Sequence, residues 1–222
     1  HYHMIQTAVA CCESGSNDLP RYWRVSPAGS RLIVPALPAF LAHYPGLELS
    51  VSSSDRRVDL AREGIDCVIR VGEVHDQTLV CKPLGELAMV HCASPTYLER
   101  QGAPQHPDEL HGHWVVGYQP SSDMRPGEWS YTDAAGVPHR MTVPHRVVVN
   151  NVESYLASCQ AGMGLIQVPR FDVQQLLADG DLVEVLPDWP APPMPVAALY
   201  LHRHQRSRRM AVFIDWFQGL LG

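Results

Sequence analysis

The first hundred residues alternate between two periodicities, and this alternation constrains the fold more than any other feature of the chain. Apolar residues recur at helical spacing from Ile33 to Tyr44. Residues 47–51 then alternate between apolar and polar side chains, as in a half-buried strand, and the apolar run at 67–71 predicts a central strand. With a further strand predicted at 22–26, this order is typical of βαβ units built on a parallel sheet.

The second half of the chain repeats this alternation with well-marked helix boundaries. Ser94 and Pro95 are typical of an N-cap and a first helical residue, and Gly102 ends the helix that they open. The sequence from Asn150 to Glu153 resembles a capping box, with Asn in place of Ser or Thr, and starts the next helix. The remaining pattern predicts a helix end at 4–12, helices at 55–62 and 171–178, and strands at 79–82, 87–92, 114–118, 128–132, 146–149, 165–168, 182–186 and 196–201.

A proline-rich segment separates the last strand from the rest of the second half. Residues 187–195 contain Pro187, Pro190, Pro192, Pro193 and Pro195, which predicts a stiff, extended connector. The strand and helix that follow have no partner unless they return to the first unit, and two units joined by two crossings would have a cleft between them. The last helix has an apolar stripe of Met210, Phe213, Ile214, Phe217, Leu220 and Leu221.

Composition restricts the classes of function. A formal net charge of -6 argues against nucleic-acid binding by this chain alone, because phosphate contacts need a basic surface. The six cysteines form no CxxC pair or framework spacing, and we expect reduced thiols in a cytosolic protein without a signal peptide or membrane span. Residues 1–4 are interpreted as an expression-tag remnant, with native sequence as the alternative.

Several segments together resemble the effector-binding domain of LysR-type transcriptional regulators, in the right order over roughly residues 20–217. Tyr22-Trp23 departs from the small, glycine-containing lead-in that the family usually has before its first strand. The segments are RVSPA at 24–28, FLAHYP at 40–45, DLAREGIDCVIRVG at 59–72, PLG at 83–85, ASPTYL at 93–98, PDEL at 107–110, VNN at 149–151, AGMGLIQVP at 161–169 and GDLVEVL at 180–186.

The resemblance implies an α/β fold of two Rossmann-like lobes with a central cleft, of the type 2 periplasmic-binding-protein-like class. We expect a tag remnant and the end of a linker at 1–19. Regulatory lobe I is then expected at 20–93 plus 196–222, and regulatory lobe II at 94–195.

The function implied by the resemblance is ligand sensing in transcription regulation. A small-molecule effector, with an anion as one candidate class, would bind between the lobes and modulate DNA binding by a winged helix-turn-helix that this chain lacks. The resemblance also implies a cytoplasmic homodimer or tetramer. In it the helix at 31–44 would pack antiparallel beside the helix at 151–162 of the partner.

Candidate ligand-binding residues in lobe I follow predicted strands. At 27–30 small residues leave backbone N–H groups open to an anion, and the alternative is a tight strand-to-helix turn. The serine hydroxyls at 53–54 would bind a carboxylate or cap a helix, and Gly72 would permit close approach of a ligand or form a turn. The candidates are Pro27, Ala28, Gly29, Ser30, Ser53, Ser54, Val71 and Gly72.

Lobe II and the first crossing contribute further candidates. Arg170 suits an anionic effector, although an exposed charge at a helix start is the alternative, and Asn150 caps a helix or contacts the ligand. The ligand-binding candidates are Tyr118, Pro120, Asn150, Asn151, Pro169 and Arg170, and the hinge candidates are Cys92, Ala93 and Ser94.

Other chemistry finds little support in the sequence. The histidine pairs at 1 and 3, 111 and 113, and 202 and 204 have no third ligand at typical spacing, so no metal or cofactor is predicted. No GxSxG elbow or Cys–His motif occurs, so we expect no enzyme, and the basic cluster at 202–209 is interpreted as a solvated loop. A transporter's solute-binding protein and an enzyme on the same architecture are the competing hypotheses.

Overall fold

A computed structural model describes residues 6–13, 31–54, 60–63, 67–72, 78–120, 125–202 and 208–221. The chain divides into two compact units. One contains the residues up to Leu87 together with those from Met194 onward, and the other spans Ala88–Pro193. The strand expected at 22–26 lies outside the described residues, and the lobe limits at 93 and 195 stay a prediction.

Each unit contains both strands and helices among its described residues. The strands are β1 (Gln6–Glu13), β2 (Leu47–Ser54), β3 (Cys67–Val71), β4 (Val80–Leu87), β5 (Met89–Ala93), β6 (Val115–Tyr118), β7 (Glu128–Thr132), β8 (Pro138–Thr142), β9 (His145–Val149), β10 (Ile166–Pro169), β11 (Val183–Glu184) and β12 (Met194–Tyr200). The α-helices are α1 (Leu37–His43), α2 (Leu60–Glu63), α3 (Pro95–Gln101), α4 (Val152–Gln160), α5 (Arg170–Ala178) and α6 (Arg208–Leu221), with 3-10 turns at Val34–Ala36 and Pro107–Gly112.

The sheet of the first unit has the strand order β2-β1-β3-β12-β4. The prediction of a parallel sheet is wrong for the described strands of this unit, because β1 pairs antiparallel with both β2 and β3, and β12 pairs antiparallel with β3 and β4. Strands β2 and β3 do run in the same direction, as a crossover requires, but β1 lies between them. Their hydrogen bonds are therefore made to an antiparallel neighbour.

Strand β1 also corrects the helix end predicted at 4–12. An apolar run of this length fits a strand or a helix equally well by periodicity, and only its partners decide between them. Here Ala8 lies opposite Ser52 on one side and Val68 on the other, so the segment is a central strand.

Aromatic side chains fill the space between α1 and α6. Phe40 contacts Phe213 edge-on, with ring centroids 6.0 Å apart, and Trp216 at 4.5 Å. The predicted apolar stripe of α6 is confirmed at Met210, Phe213, Ile214 and Phe217, which are all buried. Leu220 and Leu221 are half-buried at the end of the same helix.

The second unit is built around β5. Strands β10 and β11 pair with it antiparallel on either side, and all five β5 residues are buried. Strands β6 and β9 form a parallel pair, and a bridge between Val115 and Leu165 links β6 to the start of β10. The hairpin of β7 and β8 packs Trp129 into the core, but β8 was not predicted. Its sequence PHRMT has few residues that favour strands.

Helix α3 has the boundaries that its sequence predicts. The Ser94 hydroxyl accepts a hydrogen bond from the backbone N–H of Tyr97, Pro95 is the first helical residue, and Gly102 follows the last turn with a φ of 81°. Among the described residues, no helix combines the length and the apolar character needed to cross a membrane.

Replacing Phe213 with alanine should lower the free energy of unfolding by about 3–4 kcal/mol, because it opens a cavity among three other aromatic rings. Urea denaturation followed by circular dichroism measures the change. Gln218→Ala, an exposed position on the same helix, is the control and should change stability by less than about 0.5 kcal/mol. Equal losses in the two variants would contradict this packing.

Candidate functional site

The ligand-binding candidates of the first unit that fall within the described residues lie at the ends of strands. Ser53 and Ser54 are the last residues of β2, and Val71 is the buried last residue of β3. Gly72 follows with a φ of 102°, which favours glycine, and its N–H donates to the carbonyl oxygen of Pro195 at 2.8 Å. That N–H is therefore already used within the protein. The segment 27–30 lies outside the described residues.

In the second unit, two parallel strands end side by side. Tyr118 is the last residue of β6 and lies opposite Val149, the last residue of β9. The N–H of Gln119 donates to the Val149 carbonyl at 2.8 Å, so the pairing continues one residue past β6. The ring of Tyr118 is buried, with its centroid 5.0 Å from that of Tyr155 on α4. Carboxyl ends of parallel strands beside a helix start are where α/β folds bind ligands.

The start of α4 corrects the predicted capping box by one residue. Asn151, not Asn150, is the N-cap, because its side-chain oxygen accepts a 2.9 Å hydrogen bond from the N–H of Ser154. The Asn151 amide nitrogen in turn donates to the side-chain oxygen of Asn150 at 3.0 Å. Asn150 is exposed, so of the two it is the residue whose amide faces solvent. We call Tyr118, Pro120, Asn150 and Asn151 the strand-end wall.

Pro169 and Arg170 lie at the end of β10, which runs parallel to β6 through the Val115–Leu165 bridge and so ends at the same edge as β6 and β9. Pro169 is the buried last residue of β10, paired with Met89, and Arg170 begins α5 with its N–H donating to the carbonyl of Ala88. The guanidinium of Arg170 donates to the Glu184 carboxylate at 2.6 Å, with both side chains about half exposed. An anionic ligand at Arg170 would therefore compete with a carboxylate of the same chain.

The three hinge candidates are packed inside the second unit. Cys92 lies on β5 between Ile166 and Glu184, and its carbonyl accepts a weak bond from the Cys159 thiol at 3.8 Å. The neighbouring Cys159 thiol and burial raise the pKa of Cys92, so it stays a protonated thiol. Ala93 is fully buried and Ser94 caps α3. Their role as a hinge stays a prediction.

A buried polar network was missed at the sequence level. His91 and Gln167 lie directly opposite one another on β5 and β10, and each is 2% exposed. Gln167 Nε2 lies 3.3 Å from His91 Nδ1 and donates to the Ser130 carbonyl at 2.6 Å. His91 Nε2 lies 3.1 Å from the Trp189 carbonyl. The available signal was one polar residue inside each of two otherwise mostly apolar segments that were predicted as strands.

These contacts define the protonation state of His91. A carbonyl oxygen only accepts hydrogen bonds, so Nε2 carries the hydrogen, and Nδ1 accepts from the Gln167 amide. Burial lowers the pKa of His91 to about 4, against a smaller opposing effect of the bond to Trp189. The ring also stacks on Trp129, with centroids 4.6 Å apart. His91 is therefore neutral near pH 7.

The connector predicted at 187–195 is shorter than expected. Its first residues form a turn in which the N–H of Trp189 donates to the Leu186 carbonyl, and Met194 and Pro195 belong to β12. Within the described residues, no group of three or more His, Cys, Asp or Glu side chains could hold a metal ion.

The fold is that of a two-unit α/β ligand-binding domain of the periplasmic-binding-protein-like class. A family described as the LysR substrate binding domain matches residues 25–222. The chain belongs to this family, and it corresponds to the effector-binding domain of LysR-type transcriptional regulators.

Relatives in sequence and structure agree with this assignment. The chain is 41% identical over 190 residues to the HTH-type transcriptional regulator YhjC of Escherichia coli K12, covering 86% of this chain and 63% of that protein. It is 31% identical over 175 residues to the HTH-type transcriptional activator AaeR of the same strain, covering 79% and 56%. The regulatory domain of CrgA from Neisseria meningitidis superimposes with a TM-score of 0.75 at 27% identity, covering 89% and 96%.

The full-length virulence activator AphB of Vibrio cholerae is a further structural neighbour, with a TM-score of 0.69 at 28% identity, covering 86% of this chain and 64% of AphB. These relatives are transcriptional regulators and not transporter solute-binding proteins, so the transporter hypothesis is set aside. The chain spans 63% and 60% of the length of the first two curated relatives that it matches.

Replacing Asn151 with alanine should destabilise the domain by about 1 kcal/mol, because it removes the side-chain acceptor for the Ser154 N–H. Asn150→Ala is the matched control, since it removes the same amide one residue earlier and should cost less than about 0.5 kcal/mol. Chemical denaturation of both variants measures the difference. A larger loss in the Asn150 variant would restore the capping box originally predicted.

The stability of the domain should fall as the pH drops from about 6.5 to about 4. In this window the unfolded state binds a proton at His91, whose ordinary pKa is 6.5, and the folded state does not. Protonation therefore favours unfolding, by about 3 kcal/mol once the pH is near 4. Denaturation across this range should show a shallower slope in His91→Gln, which cannot titrate. Identical slopes in the two proteins would contradict a neutral buried imidazole.

Proposed function

We propose that this domain binds a small-molecule effector at the ends of its strands and thereby controls the activity of a transcriptional regulator. The observation that carries the proposal is the strand-end wall. There, Tyr118 lies opposite Val149 at the ends of two parallel strands, and Asn150 and Asn151 follow Val149 at the start of α4. Membership in the LysR substrate-binding family supports the same assignment.

The proposed ligand-binding set extends beyond this wall. In the first unit it includes the segment 27–30, the last residues of β2 (Ser53 and Ser54), and Val71 with Gly72 after β3. In the second unit it adds Pro169 and Arg170. An anionic effector is one candidate class, and it would bind at Arg170 by displacing Glu184 from the guanidinium.

We extend the proposal to the whole regulator through its relatives. YhjC and AaeR are HTH-type regulators, and this chain covers only part of their length, so DNA binding is assigned to a segment outside it. The net charge of -6 supports this division, because DNA contacts need a basic surface. Effector binding would shift the population of two conformations of the domain without chemical conversion of the effector, in a cytoplasmic protein.

We also propose a homodimer in which the helix at 31–44 packs beside the helix at 151–162 of a second copy. Exposed apolar side chains near these helices support it. Val34 is 48% exposed and Tyr44 is 40% exposed at the first helix, and Val148 is 44% exposed on the strand before α4. An apolar surface of this kind is stabilised when a second copy covers it.

A thermal-shift screen against small carboxylates, aromatics and amino acids tests effector binding. A compound at 100 times its dissociation constant should stabilise the domain by about 2.7 kcal/mol. Asn150→Ala should weaken binding of that compound by about tenfold, because it removes one polar contact. Gln160→Ala, exposed at the opposite end of α4, is the matched control and should bind normally.

The fate of the compound distinguishes a sensor from an enzyme. A compound that stabilises the domain and is recovered unchanged supports a sensor. A compound that is consumed would contradict the proposal and indicate catalysis. Equal binding by the Asn150 and Gln160 variants would remove the strand-end wall from the proposed site.

A further inference from the structure

A continuous chain of hydrogen bonds crosses the interior of the second unit. At one end, the Trp189 carbonyl accepts from His91 Nε2 at 3.1 Å, and His91 Nδ1 accepts from the Gln167 amide at 3.3 Å. At the other end, the backbone N–H of Gln167 donates to the hydroxyl of Tyr155 on α4 at 3.2 Å. Gln167 thus connects the two parts of this hydrogen-bond network, because its side chain bonds His91 and its backbone N–H bonds Tyr155.

The two ends of this network occupy different places in the unit. His91 lies three residues after the crossing at Leu87–Ala88, and Trp189 lies four residues before the crossing at Pro193–Met194. The hydrogen bond between His91 and the Trp189 carbonyl therefore links the first residues of the second unit to its last residues, and we call these the two connecting segments. Tyr155, at the other end, packs against Tyr118 of the strand-end wall.

We infer that His91 and Gln167 are positioning residues that hold the strand-end wall in a fixed relation to the two connecting segments of the second unit. A ligand that moves Tyr118 also moves Tyr155. Through Gln167 and His91, this movement alters the hydrogen bond to the Trp189 carbonyl. The inference rests on the proposed function for its biological meaning, but the network itself is a property of the ligand-free domain.

Because the network is buried, its hydrogen bonds hold their partners in fixed positions, and the loss of any one partner is costly. The His91 ring is fully used, with one nitrogen donating and the other accepting, and both amide hydrogens of Gln167 have acceptors. Removing one partner leaves the others buried and unsatisfied. This costs more free energy than the loss of a hydrogen bond that is exposed to solvent. A change at one end of the network is therefore transmitted to the other end and not absorbed by solvent.

Hydrogen–deuterium exchange of the ligand-free domain, read by mass spectrometry, tests the inference. His91→Leu should raise the exchange rate about tenfold at the Asp188, Trp189 and Ala191 amides, which are the exchangeable N–H groups of 187–193, and also in α4. Tyr155→Phe should raise exchange in 187–193 about threefold or more, although Tyr155 lies on α4. Val173→Ala, fully buried on α5 and without a side-chain hydrogen bond, is the control for general loss of stability.

Conservative replacement separates hydrogen bonding from packing. In His91→Gln the side-chain nitrogen matches the position of Nε2, so it can donate to the Trp189 carbonyl, and it should restore slow exchange in 187–193. The inference is overturned if His91→Gln exchanges as fast as His91→Leu, if Tyr155→Phe leaves 187–193 unchanged, or if all variants follow the pattern of Val173→Ala. Because no effector is present, a failed effector screen has no bearing on these results.

Discussion

The pairing of β12 between β3 and β4 is the interaction on which the rest of the architecture depends. It brings residues from beyond position 193 back to strands that were completed before position 88. This pairing makes the second unit an insertion between two parts of the first, with two connecting segments instead of one. It also fixes Gly72, whose N–H donates to the Pro195 carbonyl at the start of β12. Such long-range pairing is costly in chain entropy and is stabilised by the burial of β12.

Local signals in the sequence predicted the boundaries of helix α3 better than they predicted the direction in which the strands pair. The boundaries of α3 follow from Ser94, Pro95 and Gly102, because caps and terminators act within one turn. Strand direction has no comparable local signal, so the antiparallel position of β1 between β2 and β3 could not be read from residues 6–13. Strand β8 was missed for a different reason, because its sequence PHRMT has few residues that favour strands.

The candidate site was predictable in its location but not in its detailed contacts. Family resemblance indicated the ends of β6 and β9 and the start of α4, where the wall residues are close together. It could not indicate that Asn151 and not Asn150 is the cap, because either amide is chemically suited to it. Nor could it indicate that Glu184 neutralises Arg170, since the two residues are brought together only by the start of α5 and the β5–β11 pairing.

The buried pair of His91 and Gln167 is difficult to explain by stability alone. Two apolar side chains of similar size in the same cross-strand position would avoid the cost of removing an imidazole and an amide from water, and replacements of this kind are often neutral or stabilising. An apolar pair could not form hydrogen bonds to the Trp189 and Ser130 carbonyls. At Gln167 these side-chain bonds come from the same residue whose backbone N–H donates to the Tyr155 hydroxyl. Directed bonds fix relative positions in a way that apolar packing does not. Such fixed relations between the strand-end wall, where we propose that the ligand binds, and the two connecting segments would serve a sensor, whereas a domain selected only for stability does not need them.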